Sequence, residues 1–319
     1  LDRAWRGHCV ADIEHERGNS LFSTLTHDDW RGNKINMLDT PGFDDFVGEV
    51  VSSLKVADTA LMLLNAKSGV EVGTELLWEY VEKFETPTLF VVNQLDHEKA
   101  DFDTTLEQAQ GRFGNKVVPV QYPLNTGAGF NTIIDALRMV MYVFPANGGK
   151  PTKKEIPAAE MEKADAMHKA LVEAAAEMDD TLMEKYFEEG NLSEDELSTG
   201  LRAAIAKRSV FPLFCASAVK NMGSGRIMGF VNDICPSPAD RAPAPLVGGG
   251  TLKCDPKGDA TIFIFKTHNE PKVGNLSFFK VYSGTVKSGD ELVNASNRVA
   301  ERLGQLYVVE GKNRESVEE

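Results

Sequence analysis

An α/β fold built on a parallel sheet, followed by a smaller β-rich domain, is the fold class this sequence predicts. Apolar strands and helical faces alternate from Lys34 to Phe102, and strand-helix-strand order puts helices on the faces of a parallel sheet. The stretch "CPSPADRAPAPLVGGG" at 235–250 can continue neither a helix nor a central strand. Beyond it, "ATIFIFKT", "GNLSFFKVYSG" and "DELVNA" are short β-rich runs separated by Gly, Asn, Pro and Ser-Gly turns, the pattern of a small antiparallel barrel.

Ile35–Leu38 reads as a short strand, followed by a helix with Phe46, Val50 and Leu54 on one face. Ala60–Leu64 is a continuous apolar strand, Leu77, Tyr80, Val81 and Phe84 mark a helix, and Thr88–Val92 is a buried strand rich in β-formers. A third strand, Val210–Cys215, runs into "ASAVKNMGSG" and a closing helix through Ile227, Phe230, Val231 and Ile234. An insertion at about 100–208 separates these strands. Within it we expect a helix through Leu106, Ala109 and Phe113 and a strand at Val117–Val120. Ile133, Ile134, Leu137, Val140, Met141 and Phe144 predict a second amphipathic helix, 147–157 a loop, and Met161–Glu177 an Ala-rich helix. Ser193-x-x-Glu196 is a capping box opening a helix through Leu197, Leu201 and Ile205. The domain boundary is placed near 242, giving domains of 1–242 and 243–319.

The chain's 319 residues suit two domains of roughly 150 residues each. Lys and Arg number 34 against 48 Asp and Glu, a formal charge of −14. That balance disfavours general attraction to phosphate backbones, so a nucleic-acid partner must be met through local patches or other domains. Cys9, Cys215, Cys235 and Cys254 form no C-x-x-C pair, and reduced thiols in the cytoplasm are expected. The six histidines lack metal-ligand spacing. No run approaches the roughly 18–20 apolar residues of a membrane span.

Ligands of open parallel sheets sit at the carboxyl ends of the strands. Asp39-Thr40-Pro41-Gly42 and Asn93-Gln94-Leu95-Asp96 each follow such an end, and both are expected to line one crevice. An acid at a strand end can hold Mg²⁺ through water, and a glycine in the next turn offers an N–H to a terminal phosphate. D-T-P-G is equally good chemistry for an ordinary turn. A carboxylate such as Asp96 can accept from the N1–H and exocyclic amine of guanine, whereas adenine offers a different donor pattern; an Asn or Asp cap of a helix is the plainer alternative.

Order and spacing carry more weight than either cluster. "ERGNS" at 16–20, "DTPG" at 39–42, "NQLD" at 93–96 and "SA" at 217–218, in that order, resemble the translational GTPases, specifically elongation factor G. "DIEHERGNS" is similar to that family's first switch, the stretch beginning "NMLDTPGFDDF" to its second, and "FVVNQLDHEKADF" to its guanine-specificity loop. "FKVYSGTVKSGDEL" and "AERLGQLYVVEG" resemble the barrel that follows the GTPase domain. The resemblance implies a three-layer P-loop-NTPase-type GTPase domain with an inserted α/β subdomain, then a partial β-barrel. It implies GTP or GDP and Mg²⁺ as ligands, with Ser20 as the Mg²⁺ hydroxyl in place of the usual threonine and Asp39 as the Mg²⁺ acid acting through water. It further implies Gly42 as γ-phosphate donor, Asn93 as brace of the base loop, Asp96 as guanine reader, and Ser217 and Ala218 as backbone donors to the guanine carbonyl. Ribosomal RNA and ribosomal proteins are the implied partners of a monomeric factor acting in translocation.

Three departures from the family pattern bear on activity. No G-x-x-x-x-G-K-[ST] loop occurs in the sequence; "GGKPT" at 148–152 has Pro151 in the Ser/Thr place. Without those amides and the lysine, nucleotide affinity is expected to be poor, and a natural chain extending beyond both ends of this sequence is the favoured explanation. Phe43 stands where the family has the histidine that positions the attacking water, and phenylalanine has neither donor nor acceptor. Hydrolysis is therefore expected to be slow, with Phe43 packing as an apolar plug. Gln94 replaces a lysine, keeping a donor but losing its charge. A fully competent GTPase and a ribosome-protecting or regulatory protein with structural nucleotide are the alternatives.

Overall fold

The computed structural model describes residues 12–270 and 274–319. Cys9, expected to be a reduced thiol, lies outside the described residues, while Cys215, Cys235 and Cys254 are free thiols. The chain falls into two compact units, Leu1–Ala57 with Ser237–Glu319, and Asp58–Pro236. In the second unit, strands β3 (Ala60–Asn65), β4 (Thr88–Asn93), β5 (Val117–Pro119) and β10 (Phe211–Cys215) form a parallel sheet ordered β3-β4-β10-β5. The sequence explains the burial of its centre. β4, "TLFVVN", and β10, "FPLFC", are near-continuous apolar runs covered on both faces, whereas β3 alternates, with Leu61 and Leu63 exposed. Helices α3 (Val72–Lys83), α4 (Phe102–Phe113) and α8 (Ser224–Asp233) complete the α/β pattern. Trp78 of α3 and Phe113 of α4 pack with Phe90 and Phe211 in an aromatic cluster with ring centroids 4.7–6.4 Å apart.

The inserted subdomain holds helices α5 (Ala158–Ala176), α6 (Asp180–Glu189) and α7 (Glu194–Ala206), and a second sheet ordered β6 (Gln121–Pro123), β7 (Thr132–Asp135), β8 (Val140–Val143), β9 (Thr152–Lys154). The Ser193–Glu196 capping box is present at the start of α7. The amphipathic helix expected through residues 133–144 is instead the β7–β8 hairpin, paired antiparallel from Thr132↔Val143 to Asp135↔Val140. Its apolar residues satisfy either period, and β-branched Thr132, Ile133, Ile134, Val140 and Val143 favour the extended choice. Met139, in the connecting turn, takes a left-handed φ of 50° that no helix interior accepts. The expected loop at 147–157 likewise contains β9, an edge strand.

In the first unit, α1 (Asp12–Arg17) precedes an antiparallel hairpin of β1 (Thr24–Trp30) and β2 (Asn33–Asp39), and α2 (Val47–Val56) follows a 3₁₀ turn at Asp44–Phe46. The β-rich region contributes four two-stranded pairs: β11 (Ala244–Pro245) with β12 (Thr251–Leu252), β13 (Thr261–Glu270) with β14 (Gly274–Ser283), β15 (Glu291–Val293) with β16 (Ala300–Arg302), and β17 (Leu306–Glu310) with β18 (Asn313–Val317). β13 and β14 carry two register irregularities, the kind of break that curves a sheet towards barrel closure.

Candidate nucleotide site

The expectation that both polar clusters end strands of one sheet requires correction. Asn93–Asp96 and Ser217–Ala218 follow the carboxyl ends of neighbouring parallel strands β4 and β10, but Asp39 ends β2, which pairs only with β1 among the described residues. No described strand pairs with the outer edge of β3. β2 is half-exposed along its length, so its own burial cannot draw it into a sheet.

At the β4–β10 end, local hydrogen bonds fix the geometry. Asn93 Oδ1 accepts from the Ala218 amide at 3.0 Å, joining segments separated by 125 residues. The Leu95 amide donates to Ala216 O at 3.3 Å, the Ala216 amide to Val92 O at 2.9 Å, and Leu95 itself is fully buried beneath the loop. Gln94 sits at φ 63°, a left-handed conformation costing a non-glycine residue about 1–2 kcal/mol. It is held there by the turn His97 N–H to Gln94 O, 2.9 Å. Asp96 is half-exposed and its carboxylate makes no hydrogen bond within the described residues, leaving its acceptors available.

The Ser217 loop closes on itself, with Ser217 and Met222 exchanging both backbone hydrogen bonds at 3.0 Å. The Ser217 hydroxyl, buried, accepts from the Lys220 amide at 3.2 Å. The two amides expected to meet a guanine carbonyl are thus engaged inside the protein, Ser217 with Met222 O and Ala218 with Asn93 Oδ1. The open amide of this loop is that of the exposed Val219.

Two supporting segments are absent from the expected motif set. The turn 127–129 donates Gly127 N–H to Leu95 O at 2.8 Å and receives Lys220 Nζ on Ala128 O at 3.0 Å. Gly148, with φ 76°, lies so close to the Lys220 carbonyl that a Cβ would collide with it. "GGKPT" therefore has a job, buttressing the Ser217 loop, with Gly148 and Gly149 both in the left-handed region that glycine adopts without a Cβ penalty.

The segments expected to sense phosphate belong to the first unit. Ser20 is half-buried after α1, Asp39 is exposed at the end of β2, and Gly42 is exposed with open space around its Cα. Phe43 is 55% exposed, not the packed plug expected. Its carbonyl accepts from the Phe46 amide at 3.0 Å, opening the 3₁₀ turn, so its backbone is anchored and its ring is not. Glu14, fully buried, accepts from the Leu21 and Phe22 amides at 2.8 and 3.1 Å and fixes the chain just after Ser20. A cleft of about 740 Å³ lies elsewhere, lined by Trp78, Lys116, Arg208 and Phe211 at the amino ends of β5 and β10.

These residues fit a guanine base better than a complete nucleotide. The Asp96 carboxylate and the Val219 amide, on two loops joined by hydrogen bonds, are of the acceptor and donor types that guanine requires. The exposed Gly42 amide suits a terminal phosphate. Among the described residues no three or more His, Cys, Asp or Glu cluster to hold a metal ion.

The family model for the elongation factor Tu GTP-binding domain matches residues 6–237, and that for elongation factor G domain 2 matches residues 259–319. A solved crystal structure of a Thermus thermophilus protein is similar to 98% of the chain at 26% identity with a TM-score of 0.83. This chain spans 44% of the length of that protein. No helix among the described residues is long and apolar enough to cross a membrane. With its parallel-sheet domain matched to one model and its β-rich domain to the other, the chain belongs to the translational GTPases of the elongation factor G type, a family of GTP-binding elongation factors.

Proposed function

We propose that this protein is a guanine-nucleotide-dependent translation factor that acts on the ribosome in translocation with weakened GTP hydrolysis. The Asn93–Ala218 junction carries the nucleotide part of the reading, because it ties the loop that bears Asp96 to the Ser217 loop. Asp96 accepts from guanine N1–H and the exocyclic amine, and a loop amide, Val219 the most available, donates to the carbonyl. Gly42 would donate to the terminal phosphate, and Ser20, with Asp39 acting through water, would hold Mg²⁺. When bound, that ion neutralises charge developing on the phosphates.

Phe43 carries the second part. Its exposed ring occupies the position from which the family orients water, and it can neither donate nor accept a hydrogen bond. Gln94, without the lysine charge, weakens nucleotide binding without changing base choice. Ribosomal RNA and proteins are the partners this reading requires, and the factor works as a cytoplasmic monomer.

The test is ribosome-stimulated phosphate release by the full-length protein and its Phe43→His variant. A positioned water-orienting group contributes on the order of 10²–10⁴-fold, so the variant is expected to be faster by a large part of that range. Equal rates would remove Phe43 from the account and favour a competent hydrolase.

A further inference from the structure

Lys266 of β13 reaches two segments distant in sequence. Its Nζ donates to Ser23 O at 2.8 Å, to Ser23 Oγ at 3.1 Å and to Glu49 Oε2 at 2.8 Å. An ammonium has three donors, and all three are used. The same Glu49 oxygen accepts from the Ser23 amide at 2.8 Å and hydroxyl at 2.6 Å. The knot is well shielded: side-chain exposure is 12% for Lys266 and 25% for Glu49, and the Phe22 ring lies 5.5 Å from the ammonium.

Its position is more informative than its strength, since a shielded ion pair is by itself weak grounds for stability. Ser23 lies immediately before β1, three residues after Ser20. Glu49 sits in the first turn of α2, the helix leaving Gly42 and Phe43. At the other end of that helix, Lys280 of β14 donates to Val56 O at 2.8 Å, a cation on the negative end of the helix dipole. The β13–β14 hairpin therefore grips α2 at both ends, and through Ser23 it also grips the chain after Ser20.

We propose that Lys266 is a positioning residue that ties the two nucleotide-sensing segments to each other and transmits their state to the β13–β14 hairpin. Displacement of Asp39–Phe46 moves α2, and α2 cannot move without displacing Glu49 and hence Lys266. This inference rests on the functional reading above for the identity of the signal, but the mechanical link exists without nucleotide.

The test is amide hydrogen exchange on the full-length protein and its Lys266→Met and Lys266→Arg variants, with a thermal melt confirming folding. Without nucleotide, Lys266→Met is expected to speed exchange at Ser23 and in the first turn of α2 together, by about tenfold or more, and Lys266→Arg to recover part of the protection. With GDP exchanged for a non-hydrolysable GTP analogue, the wild type is expected to change exchange in 36–56 and in β13–β14. Lys266→Met should keep the first response and lose the second. Unchanged exchange at Ser23 and α2, or an undiminished response of β13–β14, would overturn the proposal. If Lys266→Met does not fold, Glu49→Ala removes the oxygen that Lys266 and Ser23 share, and the same loss of the β13–β14 response is expected of it. A wild-type protein that binds no guanine nucleotide defeats the functional reading alone, since the nucleotide-free exchange still decides the knot.

Discussion

Asn93 ends a strand and Phe43 follows one closely, yet one is pinned across 125 residues by Ala218 and the other turns 55% of its surface to solvent. The loops proposed to read the base grow from adjacent strands of a buried parallel sheet, so each loop lends hydrogen bonds to its neighbour. The segment proposed to sense phosphate grows from a two-stranded hairpin and leads into α2, which the β-rich region holds at both ends. A site that must read one fixed base benefits from preorganisation. A segment that must report a change of phosphate is better held at a distance, through a helix that can shift.

Glycine substitutions break this contrast most sharply. At Gly223, φ is 92° and a Cβ would collide with the Cys215 carbonyl beneath the Ser217 loop. Strain and overpacking together should make Gly223→Ala destabilising by about 2–4 kcal/mol, measured by urea unfolding. Asn93→Ala removes one hydrogen bond and should cost about 1 kcal/mol, with roughly tenfold weaker guanine nucleotide binding by fluorescence titration. Gly42→Ala meets open space and no positive φ, so unfolding should change by no more than about 0.5 kcal/mol, the surface expectation.

Acid provides a further probe of the first unit. Burial pushes the Glu49 carboxyl up, but hydrogen bonds from Lys266 and Ser23 outweigh it and hold the group below the ordinary carboxylate range. A depressed folded pKa means stability present at neutral pH that is lost as pH falls through that lowered value. Protection of the Ser23 amide, taken relative to the intrinsic exchange rate at each pH, should therefore fall on acidification, a small effect beside Gly223→Ala, and Glu49→Gln should remove that pH dependence.

Where burial dictated the pattern, the fold could be read from sequence. β4 and β10 are apolar runs of strand length, and the Ser193 capping box carries its own local chemistry. Reading failed at 133–144, where apolar spacing fits two periods and only the pairing of Thr132 with Val143 decides between them. The site was legible as motifs and not as geometry. Nothing near Asp39 announces that its strand stands outside the parallel sheet, and the Gly127 turn, the Gly148 buttress and Lys266 act across long sequence separations that local patterns do not encode.

The measurement that bears most directly on the guanine reading is the affinity of full-length Asp96→Asn for GDP and for xanthosine diphosphate. An amide can still accept from N1–H, but it presents a donor to position 2, matching xanthine's carbonyl and opposing guanine's amine. The account predicts that GDP binding falls and xanthosine diphosphate binding rises, each by on the order of ten- to a hundredfold. GDP affinity unchanged by the substitution would contradict it.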